Sequence, residues 1–180
     1  MTLSVRRPVA ALAVGAALLL AGCGELSPAG PDRAAVVDGQ VITETSLQSG
    51  MGEVNAMKPQ LLQEHLTPSG TLTALIQAPV VLGYLRGKGV IVSDSVARQE
   101  AQRRGIADPS SSTLEILKLA SAVLSAQSSG KLAEGDAAAL TEQLQALDID
   151  VNPRYGTFDA KTASVSLTSP EWVTTLDAAP

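Results

Sequence analysis

Thr71-Leu72-Thr73-Ala74-Leu75-Ile76-Gln77-Ala78-Pro79-Val80-Val81-Leu82-Gly83-Tyr84-Leu85 contains no charged side chain. Its Leu, Ile and Val residues leave no polar face of any width, and a helix apolar all round is buried or spans a membrane. At about 15 residues it falls short of the roughly 20 that a span needs. It therefore reads as the central helix of a folded core. Thr67-Pro68 starts it, a capping residue followed by Pro at the first helical position. Gly87-Lys88-Gly89 ends it, and Pro79 is expected to kink it. Aromatic residues are only 2% of the chain, so the core must be Leu, Val, Ile and Ala, a palette that favours helix over sheet. The expected fold class is mainly α with a small β element.

The stretch before this helix supplies the β element. Ala35-Val36-Val37-Asp38-Gly39-Gln40-Val41-Ile42 sets Asp-Gly between two short β-branched runs. That signals a hairpin, whose type I′ turn needs φ > 0 at both central positions. Thr43 is placed to cap a helix with Glu44 in its first turn. Leu47, Met51, Val54 and Met57 follow at near-helical spacing, though Gly50 and Gly52 weaken the segment. Pro59 breaks it, and Gln60 to Leu66 is expected to begin a further helical stretch. The methionines have two readings, core filling or a flexible apolar surface for promiscuous binding. The lone His65 has no second His, no Cys and no carboxylate pattern around it, and reads as a loop or helix-end residue.

Beyond the central helix, Val90-Ile91-Val92 reads as extended. Ser93-Asp94 caps a charged helix that runs through Arg104 and is closed by Gly105. Asp108-Pro109-Ser110-Ser111 is a turn, and Ser112-Thr113-Leu114-Glu115 reads as a capping box with Glu115 reaching back. The helix it opens carries Leu114, Leu117, Ser121 and Leu124 on one stripe, and Gly130 ends it. Asp136 to Ala146 gives the last helix. Ile149 and Val151 alternate as an edge strand does, and Asn152-Pro153-Arg154-Tyr155-Gly156 turns the chain. A lone two-stranded hairpin is marginal in water, so its first strand is expected to pair with Ile149 to Val151. Ser164-Val165-Ser166-Leu167 adds an extended segment before a loose end that carries Trp172.

The N-terminus carries a different message. Arg6 and Arg7 precede an uncharged run from Val9 to Ala21, which closes in Leu20-Ala21-Gly22-Cys23. The layout is a basic n-region, an apolar h-region and a small-residue cleavage site. Leu-Ala-Gly-Cys resembles the lipobox of bacterial lipoprotein signals. The resemblance implies cleavage between Gly22 and Cys23, lipid on the Cys23 thiol, and anchoring at the extracytoplasmic face of the cell membrane. The alternatives are an ordinary signal peptide with a chance cysteine, or an uncleaved anchor. On this reading residues 1–22 are the signal peptide and 23–33 a flexible tether rich in Gly, Pro and Ser. Residues 34–159 form the folded domain and 160–180 a C-terminal extension. Cys23 is the only cysteine, so no intramolecular disulfide is available.

The formal charge of −5 includes Arg6 and Arg7, so the processed chain is more acidic still. That argues against nucleic acid, whose binders cluster Lys and Arg on one face. It also disfavours electrostatic adhesion to anionic lipid, which leaves the covalent lipid as the anchor. One acyl chain binds marginally and two bind stably, at about 0.8 kcal/mol per buried methylene.

The lipobox, the Val37-Asp38-Gly39-Gln40-Val41-Ile42-Thr43 strand, Thr43-Glu44 opening a helix, and an apolar helix followed by Gly89-Val90-Ile91-Val92-Ser93-Asp94 together resemble the N-terminal chaperone domain of SurA- and PrsA-type foldases. Val151-Asn152-Pro153-Arg154-Tyr155-Gly156 is similar to the strand that ends this domain in actinobacterial SurA-like lipoproteins. The resemblance covers residues 34–159 and rests on order and spacing more than on any single motif. It implies a mainly helical domain with paired first and last strands, and an apolar cleft offered to unfolded chains. The chain departs from such foldases in having no space for a parvulin-type isomerase domain. One His and one Cys also cannot make the cluster that isomerase uses, so isomerase activity is not carried over.

No other chemistry is encoded. There is no Gly-x-Ser-x-Gly, no phosphate-cradling Gly-rich loop and no paired His for a metal. Asp148 and Asp150, near Asp159, read either as a divalent-cation site or as a charged edge that discourages strand pairing. No catalytic residue, metal or cofactor is therefore expected. The expected function is a membrane-anchored lipoprotein whose chaperone-like module binds unfolded or newly secreted polypeptides. The alternative is an accessory or structural cell-envelope lipoprotein with one dedicated protein partner.

Overall fold

The computed structural model describes residues 32–167. The expected signal peptide, the expected Gly22–Cys23 cleavage site, most of the expected tether, and everything past Leu167, Trp172 included, lie outside the described residues.

The Asp-Gly turn adopts the backbone its chemistry requires, with Asp38 at φ 48° and Gly39 at φ 79°. It joins β1 (Arg33–Val37) to β2 (Gln40–Thr43), with Val37 opposite Gln40 and Val36 opposite Val41. On the other side of β1, β3 (Ile149–Val151) pairs antiparallel, with Val37 opposite Ile149 and Ala35 opposite Val151. The strand order is β2-β1-β3, so the expected long-range pairing is present. One face of the sheet packs Ala35, Val37, Ile42, Ile149 and Val151 against Leu47, Leu72 and Ile76.

Thr43 caps α1 (Glu44–Ala56) through the Ser46 N–H. Gly50 lies where α1 meets the helix α4 (Ser111–Ser128). A Cβ there would stand 2.9 Å from Ser112 Cβ and 3.2 Å from Ile116 Cδ1. The glycine that weakens the helix locally is thus what lets two helices touch.

After α1 the chain departs from the expected helix. Residues 57–67 are irregular, and side chains from outside the stretch hold backbone groups near its two ends. Asn55 clamps Leu66, donating to its carbonyl at 3.0 Å and accepting its N–H at 2.7 Å. Arg104 donates to the Pro59 and Gln60 carbonyls. Met57 is fully buried beside Val54, Ala97 and Leu117, which makes it a core residue.

The central helix α2 (Pro68–Gly87) is capped by Thr67 and runs through Pro79 without ending. It is not buried all round. Thr71, Leu72, Ile76, Ala78, Val81 and Leu85 are buried, but Pro79 and Gly83 are exposed and Leu75, Val80 and Leu82 half-buried. The three short strands are too narrow to cover its outer face.

Ser93 caps α3 (Asp94–Arg103) as expected. Val90-Ile91-Val92 joins no strand ladder; Val90 is buried and Ile91 is 72% exposed. The cap of α4 is Ser110, not Ser112. Glu115 pairs with Lys118 at 2.6 Å instead of reaching back. Glu53 of α1 accepts the Ser110 N–H at 2.8 Å, so a tertiary contact does what the local box was expected to do. The buried face of α4 continues through Ala122 and Ala126, leaving Leu124 exposed.

The last helix is α5 (Asp136–Gln145). After β3 and a 3-10 turn at Pro153–Tyr155 come β4 (Thr157–Asp159) and β5 (Ser164–Ser166), which pair as a second hairpin. The boundary drawn at Asp159 therefore falls inside a folded element. Val165 is buried, its N–H donates to Thr73 Oγ1 at 2.9 Å, and Gln77 donates to the Ala163 carbonyl at 2.7 Å. Gly156, at φ 109°, passes so close to the Ser166 carbonyl that a Cβ would overlap it. Among the described residues no helix is long and apolar enough to cross a membrane.

Candidate functional site

The uncovered face of α2 lies beside β2, the edge of the three-stranded sheet. Between them runs a groove of about 230 Å³. Leu75, Pro79 and Val80 line one wall; Val37, Ile42 and Leu147 line the other; Asp38, Gln40 and Val41 stand at the rim. Local chemistry shapes each side. The Asp38 carboxylate accepts the Asp148 N–H at 2.8 Å, and the Asp38 N–H donates to the Asp148 carbonyl at 2.8 Å. That pair pins the turn to the chain entering β3 and sets Leu147 at the groove's end. On the helix, Pro79 has no N–H for the Leu75 carbonyl, so an acceptor in the groove wall loses its usual helical bond. The groove is smaller than the roughly 300–1,000 Å³ of small-molecule sites. It suits one or two side chains.

A second constellation joins α2 to α5. Tyr84 Oη donates to Asp136 Oδ1 at 2.7 Å, Lys88 Nζ to Oδ2 at 2.6 Å, and the Ala133 N–H to Oδ2 at 2.7 Å. Lys88 Nζ also lies 5.3 Å from the centre of the Tyr84 ring, within cation–π range. The Lys88 ammonium, then the Tyr84 hydroxyl and the Ala133 N–H, hold the Asp136 carboxyl down to about 2. The same carboxylate raises Lys88 and Tyr84. Both carboxylate oxygens are taken, so the cluster is a fastening between helices.

The candidate residues of the sequence fare differently. Cys23 and Gly22 lie outside the described residues. Asp150 is bonded to Arg33 at 2.6 Å, and Asp159 accepts the Lys161 N–H and the Thr162 hydroxyl within its own turn. With Asp148 they form no cation site: among the described residues no group of three or more His, Cys, Asp or Glu could hold a metal ion. His65 is exposed, 3.3 Å from the Gln60 amide. The groove and the Asp136 fastening are not apparent from the sequence, although two signals bear on them. A proline inside an all-apolar helix marks the groove wall, and Tyr84 and Lys88, four apart, share one helix face.

In comparisons with known proteins, no family model, no curated protein and no solved structure matches this chain.

Proposed function

We propose that the protein is a lipoprotein anchored through Cys23 at the extracytoplasmic face of the cell membrane, with a chaperone-like domain that binds unfolded or newly secreted polypeptide and has no isomerase activity. The observation that carries the binding reading is the groove between β2 and α2. It is apolar, side-chain-sized and lined in part by the edge strand β2. An apolar face with a polar rim is how a protein recognises another chain without demanding one sequence. The lipobox carries the anchoring.

The test has two arms. Cys23→Ser should abolish incorporation of a palmitate analogue in cells; equal labelling of wild type and variant rejects the anchor. The full chain in mild detergent should suppress aggregation of several unrelated chemically unfolded proteins. Failure with all of them, alongside recovery of one stoichiometric partner from membranes, favours the dedicated accessory role instead.

A further inference from the structure

The two outer edges of the sheet are not alike. The free edge of β3 lies on a stretch flanked and punctuated by Asp148 and Asp150, both exposed, and such charges discourage a further strand. The β2 edge is Gln40-Val41-Ile42-Thr43, with no charge and no proline. Its backbone geometry follows from the register. In β1, the Asp38 N–H and the Ala34 carbonyl bond toward β3, so Val36, in step with them, also turns its N–H and C=O toward β3. Val41 sits opposite Val36 and is therefore in a non-hydrogen-bonded pair with it. Its own N–H and C=O point away from the sheet, and its side chain is 39% exposed. A ready donor and acceptor thus stand at the lip of the groove.

We infer that this edge takes an extended polypeptide as a fourth strand, one carrying an aliphatic residue and, two positions along, a Lys or Arg. This rests on the polypeptide-binding reading and names its ligand. Residues two apart on the added strand point to the same face, toward α2. One side chain meets Leu75, Pro79 and Val80. The other, beside Gln40 at the turn end of β2, brings its charged head to Asp38. Among the described residues neither Asp38 nor Asp148 has a cationic partner, in contrast to Asp150, which has Arg33. A second copy of this chain is a poor occupant. Its β2, Gln40–Thr43, carries no cation to meet Asp38.

The probe is a dye-labelled peptide, Ser-Val-Thr-Lys-Thr, titrated against the full chain in detergent and read by fluorescence anisotropy. Val41→Pro removes the outward N–H and puts in place of the valine side chain a ring that edge strands tolerate; it should weaken binding by about tenfold, with unchanged cooperative melting. Should that variant fail to fold, the wild type is titrated with the peptide N-methylated at alternate residues, which should lose binding to the same degree. Asp38→Asn keeps the turn and an oxygen for the Asp148 N–H. It should weaken the Lys peptide about two- to fivefold and leave a norleucine analogue unchanged. Undiminished binding by Val41→Pro or by the N-methylated peptide overturns strand addition; equal loss of both peptides in Asp38→Asn overturns the basic position. Concentration-dependent dimers that Val41→Pro abolishes overturn the choice of occupant. Aggregation suppression by the wild type is scored separately. If it persists while strand addition fails, the chaperone reading stands and this inference does not.

Discussion

Gly50 and Gly52 allow the packing of α1 against α4 to be measured with helix propensity cancelled. Both glycines lie in α1, two residues apart, and both become alanine without changing anything else in the helix. Gly52 has open space around it, whereas a Cβ on Gly50 would press on Ser112 Cβ at 2.9 Å and on Ile116 Cδ1 at 3.2 Å. Alanine in a helix gains about 0.5–1 kcal/mol over glycine, through backbone entropy. Gly52→Ala should show that gain in full. At Gly50 the obstacle is the root of a serine on a buried helix turn, not the tip of a flexible chain. The helices must part by a few tenths of an ångström, and overpacking of this kind costs about 1–3 kcal/mol. The balance for Gly50→Ala is a loss of about 0–2.5 kcal/mol, and the gap between the two variants is the contact term itself. Gly50→Val widens the gap further, since its branched carbon meets the same wall. Urea unfolding of the full chain in detergent measures this, with midpoints compared at constant m-value. If Gly50→Ala stabilises as much as Gly52→Ala, α1 and α4 are not in contact at Gly50 and the helix arrangement is wrong.

Three further outcomes are expected. Gly156→Ala should destabilise by at least about 2 kcal/mol, because the backbone at φ 109° and ψ −153°, a region essentially confined to glycine, alone disfavours a side chain by roughly 1–3 kcal/mol and the new Cβ overlaps the Ser166 carbonyl; a midpoint within error of wild type rejects the β4–β5 arrangement. The Asp136 carboxyl lies below its ordinary 3.8 at about 2, so its fastening is complete above about 4 and lost as pH falls toward about 2. Protection of the amides across Asp136–Gln145, taken relative to the intrinsic exchange rate at each pH, should fall through that window in wild type, while Asp136→Asn should lack it already at neutral pH and show no added step. Leu72→Asp puts an unpaired charge where the side chain is fully buried, and should unfold a domain of about 5–15 kcal/mol total stability; Leu75→Asp, half-buried at the groove wall, should remain cooperative in melting.

What could be read ahead of the structure was local chemistry with a single outlet. Asp38-Gly39 has only one comfortable turn, Thr43, Thr67 and Ser93 each cap the next helix, and an unpaired hairpin needs a third strand, which Ile149 to Val151 supply. The misreadings share a cause, a distant group substituting for a near one. Gln60 to Leu66 has helical composition, yet Asn55 and Arg104 satisfy its backbone across space. Glu115 fits a capping box, yet Glu53 stands closer to Ser110 and Lys118 draws Glu115 away. The groove was hidden for a related reason. Periodicity in Thr71–Leu85 counts apolar residues but not the width of what covers them, and three strands of three to five residues are narrower than the helix they face. Leu75, Pro79 and Val80 line the groove left where that cover ends. An apolar helix face, an uncharged strand edge and the Asp38 carboxylate then meet at one rim, and that combination is what the proposed extended segment, one aliphatic and one basic side chain, is matched to.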